Sequence, residues 1–312
     1  MTVKQHLPRE RSRAAVALTS LALGALVVGV ATKRRPPISH PSRDPRATPA
    51  RAARNTRRGA SLLAASVLAD SAVEHYRGGY HHKAMFAAPV AAGTTLAATL
   101  CGERIGRRTQ RGIFHAAVVA GLAGHFFHAR NIMRRPGALS WESLFYAAPI
   151  GAPGALLLAG RAGRAALRLE RPDPREGTRR QVGRRLAFGT TLGLLGTTAE
   201  VALLHFRGSF HNPIMYTPVI MPTLAAIATA DVVRGPSRRR LRRARILLRA
   251  TALMGLAGTA FHAWGIHRNM GGWRNWSQNL QVAPPLPAPP SFTGVAIAGL
   301  GTIDLLESEE AR

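Results

Sequence analysis

The chain has 312 residues, and its 43 Lys and Arg against 15 Asp and Glu give a formal net charge of +28. Uncharged segments alternate with dense arginine clusters, which excludes a disordered, collagen-like or coiled-coil protein. The single cysteine, Cys101, excludes an intramolecular disulfide framework and a cysteine-rich metal cluster.

The apolar segments are the first feature along the chain. Nine of them come near the length of about 20 residues that a membrane-spanning helix needs. In chain order they are 14–32, 59–75, 84–101, 113–128, 144–160, 186–205, 214–233, 246–262 and 291–306. Prolines interrupt several segments, which neighbouring helices in a membrane tolerate. The sequence therefore predicts an all-α integral membrane protein with nine transmembrane helices.

Two sequence motifs recur after about 130 residues. The segment HYRGGYH at 75–81 matches HFRGSFH at 205–211, and a carboxylate lies five residues before each of them. The segment GLAG at 121–124 matches 255–258, and a histidine follows each four residues later. Eight of the nine spans then form two tandem four-helix repeats of parallel orientation, related by an axis along the membrane normal.

This repeat predicts the division of the chain. Residues 1–58 hold the first transmembrane helix and a basic linker, 59–160 the first repeat, 161–185 a second basic linker, 186–306 the second repeat and 307–312 a tail. We expect the first helix to be retained, because basic residues and two prolines follow it and an Ala-x-Ala cleavage site is missing.

The basic residues predict the orientation in the membrane. Loops 33–58, 102–111, 161–185 and 234–245 carry 29 Lys and Arg, whereas 76–83, 129–142, 206–213 and 263–290 carry 8. The first set is therefore expected in the cytoplasm and the histidine-rich loops outside the cell membrane. Since the charge lies between apolar runs, we expect anionic lipid headgroups at the cytoplasmic face as its partner, and no nucleic acid.

Histidines and carboxylates at matched positions near the predicted outer ends of the spans form the candidate site. Ionisable groups at membrane depth are costly and are usually functional. Imidazole and carboxylate suit iron, zinc, manganese or copper. The predicted metal ligands are Asp70, His75, His81, His128, Glu200, His205, His211 and His262. Arg77 and Arg207 are the predicted cofactor-binding groups beside them.

The leading functional hypothesis is a membrane metalloprotein near the extracytoplasmic face, with oxidoreductase as its expected activity. One alternative is b-type haem, with His128 and His262 as axial ligands and the two arginines as propionate partners. Another is a small-solute or ion transporter, in which Asp70 and Glu200 are proton or cation sites at the repeat interface. A structural alternative places the histidines in the membrane interface, where the ring is apolar and the nitrogen is wet.

Overall fold

The computed structural model describes residues 47–102, 104–149, 151–171 and 176–310. The predicted first span, 14–32, lies outside the described residues. The regular elements of the described part are all helical, which confirms the all-α prediction. Residues 47–169 are called the first half and residues 176–310 the second half.

Each half has five α-helices in the same order. The first half contains α1 (Ala47–Arg77), α2 (Ala87–Leu100), α3 (Arg107–Met133), α4 (Trp141–Tyr146) and α5 (Ala152–Leu169). The second half contains α6 (Glu176–Arg207), α7 (Thr217–Arg234), α8 (Arg238–Arg268), α9 (Trp276–Val282) and α10 (Pro289–Glu310). Short 3-10 turns at Lys83–Phe86, Pro213–Tyr216 and Gly272–Asn275 precede α2, α7 and α9.

Several helix starts follow from local sequence. The Ser140 side chain accepts a hydrogen bond from the Ser143 amide at the start of α4, and Ser237 accepts one from the Arg240 amide at the start of α8. These N-caps satisfy amides that lack a partner within the helix. Proline occupies the first turn of α5 and of α7, where its missing N–H costs nothing.

Four helices are long and apolar enough to cross a membrane. They are Arg107–Met133, Arg179–Arg207, Pro213–Arg234 and Arg238–Arg268. Large apolar side chains project from the outside of the bundle: Phe126 of α3 is 64% exposed and Leu253 of α8 is 67% exposed. A broad exposed apolar surface of this kind is unusual in a water-soluble monomer and typical of contact with lipid.

The predicted count of nine spans is not confirmed. Helix α2 has 14 residues and is about 21 Å long, which is shorter than a hydrocarbon core of about 30 Å. The predicted span 144–160 is divided, because α4 ends at Tyr146 and α5 begins at Ala152. Pro149 lies between them and Pro153 follows at the start of α5; a residue before proline is driven out of the helical region. Helix α5 instead continues to Leu169.

Four helices, α1, α5, α6 and α10, form the centre of the bundle. Helices α2 and α3 flank them in the first half, and α7 and α8 flank them in the second. The contact between α1 and α10 is close: a Cβ on Gly59 would lie 2.6 Å from the carbonyl oxygen of Gly294. Small residues permit this approach of two backbones, as they do in helix pairs of membrane proteins. Leu63 and Phe292 are buried beside this contact.

An ion-pair cluster joins α1, α8 and α10 at the end of the bundle that carries the arginine-rich loops. The Asp304 side chain is 1% exposed and lies 2.7 Å from the Arg245 guanidinium. Arg51 lies 3.2 Å from the same carboxylate, and the Asn55 amide donates a 3.0 Å hydrogen bond to it. Arg245 also pairs with Glu307. The cluster ties the first half to the second.

Candidate functional site

Two matched histidines end the first helix of each half. Nδ1 of His75 lies 2.5 Å from the carbonyl oxygen of Met85, and Nδ1 of His205 lies 2.8 Å from that of Met215. Each bond connects the end of α1 or α6 to the 3-10 turn that follows. Because a carbonyl oxygen only accepts hydrogen bonds, Nδ1 carries the proton in both rings. In a neutral imidazole with this tautomer, Nε2 is the nitrogen that can accept a hydrogen bond or bind a metal.

Two further matched histidines are held in the same way. Nδ1 of His128 on α3 lies 2.6 Å from the carbonyl oxygen of Pro149, and Nδ1 of His262 on α8 lies 2.8 Å from that of Pro285. Those carbonyls belong to the segments before α5 and α10. The same reasoning places a proton on Nδ1 of both rings.

These four histidines form one pair in each half. His75 lies within electrostatic range of His128, and His205 lies within range of His262. The haem hypothesis from sequence had paired His128 with His262 across the halves. In the structure, His75 and His125, both in the same half as His128, are the histidines that act on it electrostatically.

His81 and His211 are placed differently. Both are exposed, and each Nδ1 bonds the carbonyl oxygen three residues earlier, Gly78 at 3.1 Å and Gly208 at 3.0 Å. These are local turn bonds, so the two rings stabilise their own loops.

The loops that carry His81 and His211 are built alike. Tyr80 and Phe210 have positive φ angles of 44° and 43°, which bulky residues rarely adopt. Their rings stack on Phe86 and Tyr216 at centroid distances of 4.2 and 4.4 Å. Stacking therefore holds a backbone conformation that local preference opposes.

The two matched carboxylates lie in different halves of the chain. Asp70 of α1 and Glu200 of α6 lie within electrostatic range of each other. Glu74 and Arg77 also act on Asp70, and Arg207 acts on Glu200. Within the described part of the chain, neither Asp70 nor Glu200 forms a hydrogen bond or an ion pair.

Glu200 depends on a residue that the sequence interpretation missed. A Cβ on Gly151, just before α5, would collide with the carboxylate oxygen Oε2 of Glu200. Glycine is therefore required for the carboxylate to occupy this position. No feature of the sequence around Gly151 indicates its partner, because the two residues are about 50 positions apart and their contact depends on how consecutive helices pack.

The two matched arginines differ in their surroundings. Arg77 pairs with Glu74 at 2.6 Å and its side chain is 45% exposed. Arg207 donates a 3.2 Å hydrogen bond to the carbonyl oxygen of Leu144 in α4, and its guanidinium lies 5.3 Å from the ring centroid of Phe145. Its Nε is buried without a hydrogen-bond partner among the described residues.

The eight predicted metal ligands are thus distributed over several groups. Across residues 47–102, 104–149, 151–171 and 176–310, no three His, Cys, Asp or Glu side chains come together as a ligand set. In each half two matched histidines lie within electrostatic range of each other, and so do Asp70 and Glu200 of different halves. No family model, no curated protein and no solved structure matches this chain, so the geometry of these pairs carries the functional inference.

Proposed function

We propose that this protein is an integral membrane protein of two tandem four-helix repeats that binds b-type haem in each repeat and transfers electrons. His75 and His128 would hold one haem, and His205 and His262 the other. The observation that carries the proposal is the matched set of four Nδ1 hydrogen bonds to backbone carbonyl oxygens.

The hydrogen bonds prepare each imidazole to bind a metal. A carbonyl oxygen that accepts from Nδ1–H fixes the tautomer, orients the ring and makes Nε2 more basic. Histidines that bind metal in proteins almost always have such a partner for their other nitrogen.

The number of ligands favours haem over a non-haem ion. Zinc and similar ions usually take three or four protein ligands, whereas each half offers two imidazoles near one another. Haem supplies four nitrogens of its own, so the two histidines of one half would complete the coordination of its iron. Arg207, with its buried and unpaired Nε, is suited to pair with a haem propionate.

The proposal includes the tandem repeat and the orientation of the protein in the membrane. The halves share their order of helices, and the matched histidines of each bond to equivalent carbonyls. The arginine-rich loops 102–111 and 234–245 would face the cytoplasm and the histidine pairs the outside. Electron transfer would then take place near the outer face of the membrane.

The visible spectrum of the purified protein tests the proposal. We expect a haem absorbance band, with His75→Ala and His128→Ala each halving the haem content and His205→Ala halving it through the other pair. His81→Ala is the matched control: this histidine is exposed, its Nδ1 also bonds a carbonyl, and its loss should leave haem unchanged. Protein that lacks haem when produced with an ample haem supply would refute the proposal, as would equal loss in the control.

A second candidate function is proton or cation transport between the repeats. It is favoured by Asp70 and Glu200, because carboxyl groups within electrostatic range of each other inside a helix bundle are typical of proton and cation pathways in membranes. We would measure proton uptake into proteoliposomes with an entrapped pH dye. Uptake that Asp70→Asn and Glu200→Gln abolish, with haem content unchanged, would support transport. Uptake unaffected by both variants would exclude it.

A further inference from the structure

A cavity opens between the ends of α7 and α8 that carry the arginine-rich connection. It has a volume of about 740 Å³. Helix α8 contributes Arg239, Arg242 and Arg243 on its first turns, and α7 contributes Leu224 from its apolar stretch. One end of the cavity is therefore strongly basic and the other is apolar.

The charges of this cavity are not neutralised by the protein. Arg239, Arg242 and Arg243 are exposed, and in the described part of the chain no carboxylate pairs with them. Asp231 is the acidic residue of the lining, and Arg234 lies 3.6 Å from its carboxylate. The cavity also lies at the N-terminal end of the 31-residue helix α8, whose dipole adds positive potential. An anion is the ligand that this end of the cavity fits.

The apolar part of the cavity identifies the kind of anion. Leu224 and Ile246 line it and are 41% and 54% exposed. Ile220 and Ile227 of α7, 55% and 48% exposed, lie on either side of Leu224 along the helix. A free phosphate would use the arginines alone, whereas the acyl chains of a phospholipid would cover these apolar side chains.

From this arrangement we infer that the cavity between α7 and α8 is a binding site for one anionic phospholipid. The phosphate would pair with Arg239, Arg242 and Arg243, and an acyl chain would lie along Leu224 and Ile246. The inference rests on the proposed membrane insertion and on the cytoplasmic position of this loop, but it does not depend on haem.

The first half provides an internal comparison. The shift of 134 residues that relates His128 to His262 relates Arg242 to Arg108. The same shift places Ile105 and Thr109 where the second half has Arg239 and Arg243. The equivalent place between α2 and α3 therefore keeps one of the three arginines. We expect one tightly bound anionic lipid per chain, in the second half.

Native mass spectrometry of the full-length protein in detergent tests this inference with phosphatidylglycerol as the probe. The triple variant Arg239→Gln/Arg242→Gln/Arg243→Gln should weaken binding about a hundredfold, since each basic residue near a membrane surface contributes about a factor of five. Arg104→Gln/Arg108→Gln/Arg111→Gln is the matched control. It removes the same charge from the equivalent loop of the first half and should retain wild-type affinity.

Further experiments distinguish a lipid site from a phosphate site and from nonspecific attraction of anions to the basic surface. Inorganic phosphate and glycerophosphoglycerol, which lack acyl chains, should not displace the lipid, and Ile246→Gln should weaken its binding although it changes no charge. Equal loss in the two triple variants, full displacement by the headgroup, or equal binding of phosphatidylcholine would each overturn the inference. Haem absorbance recorded on the same samples reports on the proposed function separately, so either can fail alone.

Discussion

Replacing Asp304 measures how much a buried ion pair contributes to the free energy of unfolding of this protein. Asp304→Asn keeps the shape of the side chain and removes the charge from a carboxylate that is 1% exposed. Removing one partner of a fully buried ion pair costs about 3–5 kcal/mol. Arg245 is 18% exposed and keeps Glu307 as a partner. We therefore expect the loss of the Asp304–Arg245 pair to lower the free energy of unfolding by about 2 kcal/mol.

The remaining contacts of Asp304 add smaller amounts. The hydrogen bond from Asn55 contributes about 1 kcal/mol, which asparagine at position 304 retains in part. Arg51 is 47% exposed, so its pair with the carboxylate is screened by solvent and contributes less than about 1 kcal/mol. The total loss expected for Asp304→Asn is therefore about 3 kcal/mol in the free energy of unfolding.

The assay is equilibrium unfolding in mixed micelles with increasing dodecyl sulfate, followed by circular dichroism. Glu307→Gln is the control, because Glu307 pairs with the same arginine but is 53% exposed. This exposed pair should contribute at most about 1 kcal/mol. If the two variants lose the same stability, or if Glu307→Gln loses more, burial does not decide the strength of these pairs and the reasoning is wrong.

Three more outcomes are expected. A membrane-impermeant maleimide should label the exposed thiol of Cys101 in inside-out vesicles and not in intact cells; labelling of cells would reverse the proposed orientation. Gly59→Ala should cost about 1–3 kcal/mol in unfolding free energy because its Cβ meets another backbone, whereas Gly196→Ala, with open space around it, should be neutral or slightly stabilising. Burial raises the pKa of the Tyr80 hydroxyl, so its contribution to stability is present below the usual tyrosine pKa and is lost as pH rises through the raised value. Tyr80→Phe, which copies Phe210, should therefore lose less thermal stability than wild type on going to alkaline pH, and equal losses would contradict this.

The helical class and the matched positions were predictable from sequence because both depend on local properties of the chain. Long uncharged segments favour helices that satisfy their own backbone hydrogen bonds, and the described part of the chain is helical as expected. The equivalence of His75 with His205, and of His128 with His262, was visible in the spacing of the two motifs. The structure adds that each bonds a carbonyl at the equivalent position, Met85 and Met215 for the first two.

The partners of the site residues were decided by packing. The haem hypothesis from sequence paired His128 with His262, whereas in the structure His75 of the same half lies within electrostatic range of His128. The electrostatic action of Asp70 on Glu200 likewise depends on how the helices pack, and Gly151 leaves room for the Glu200 carboxylate. Hydropathy and residue spacing predict which residues lie at the end of a helix. Which helix packs against that helix end depends on close contacts between small residues that are far apart along the chain. A single sequence carries no local signal for such contacts.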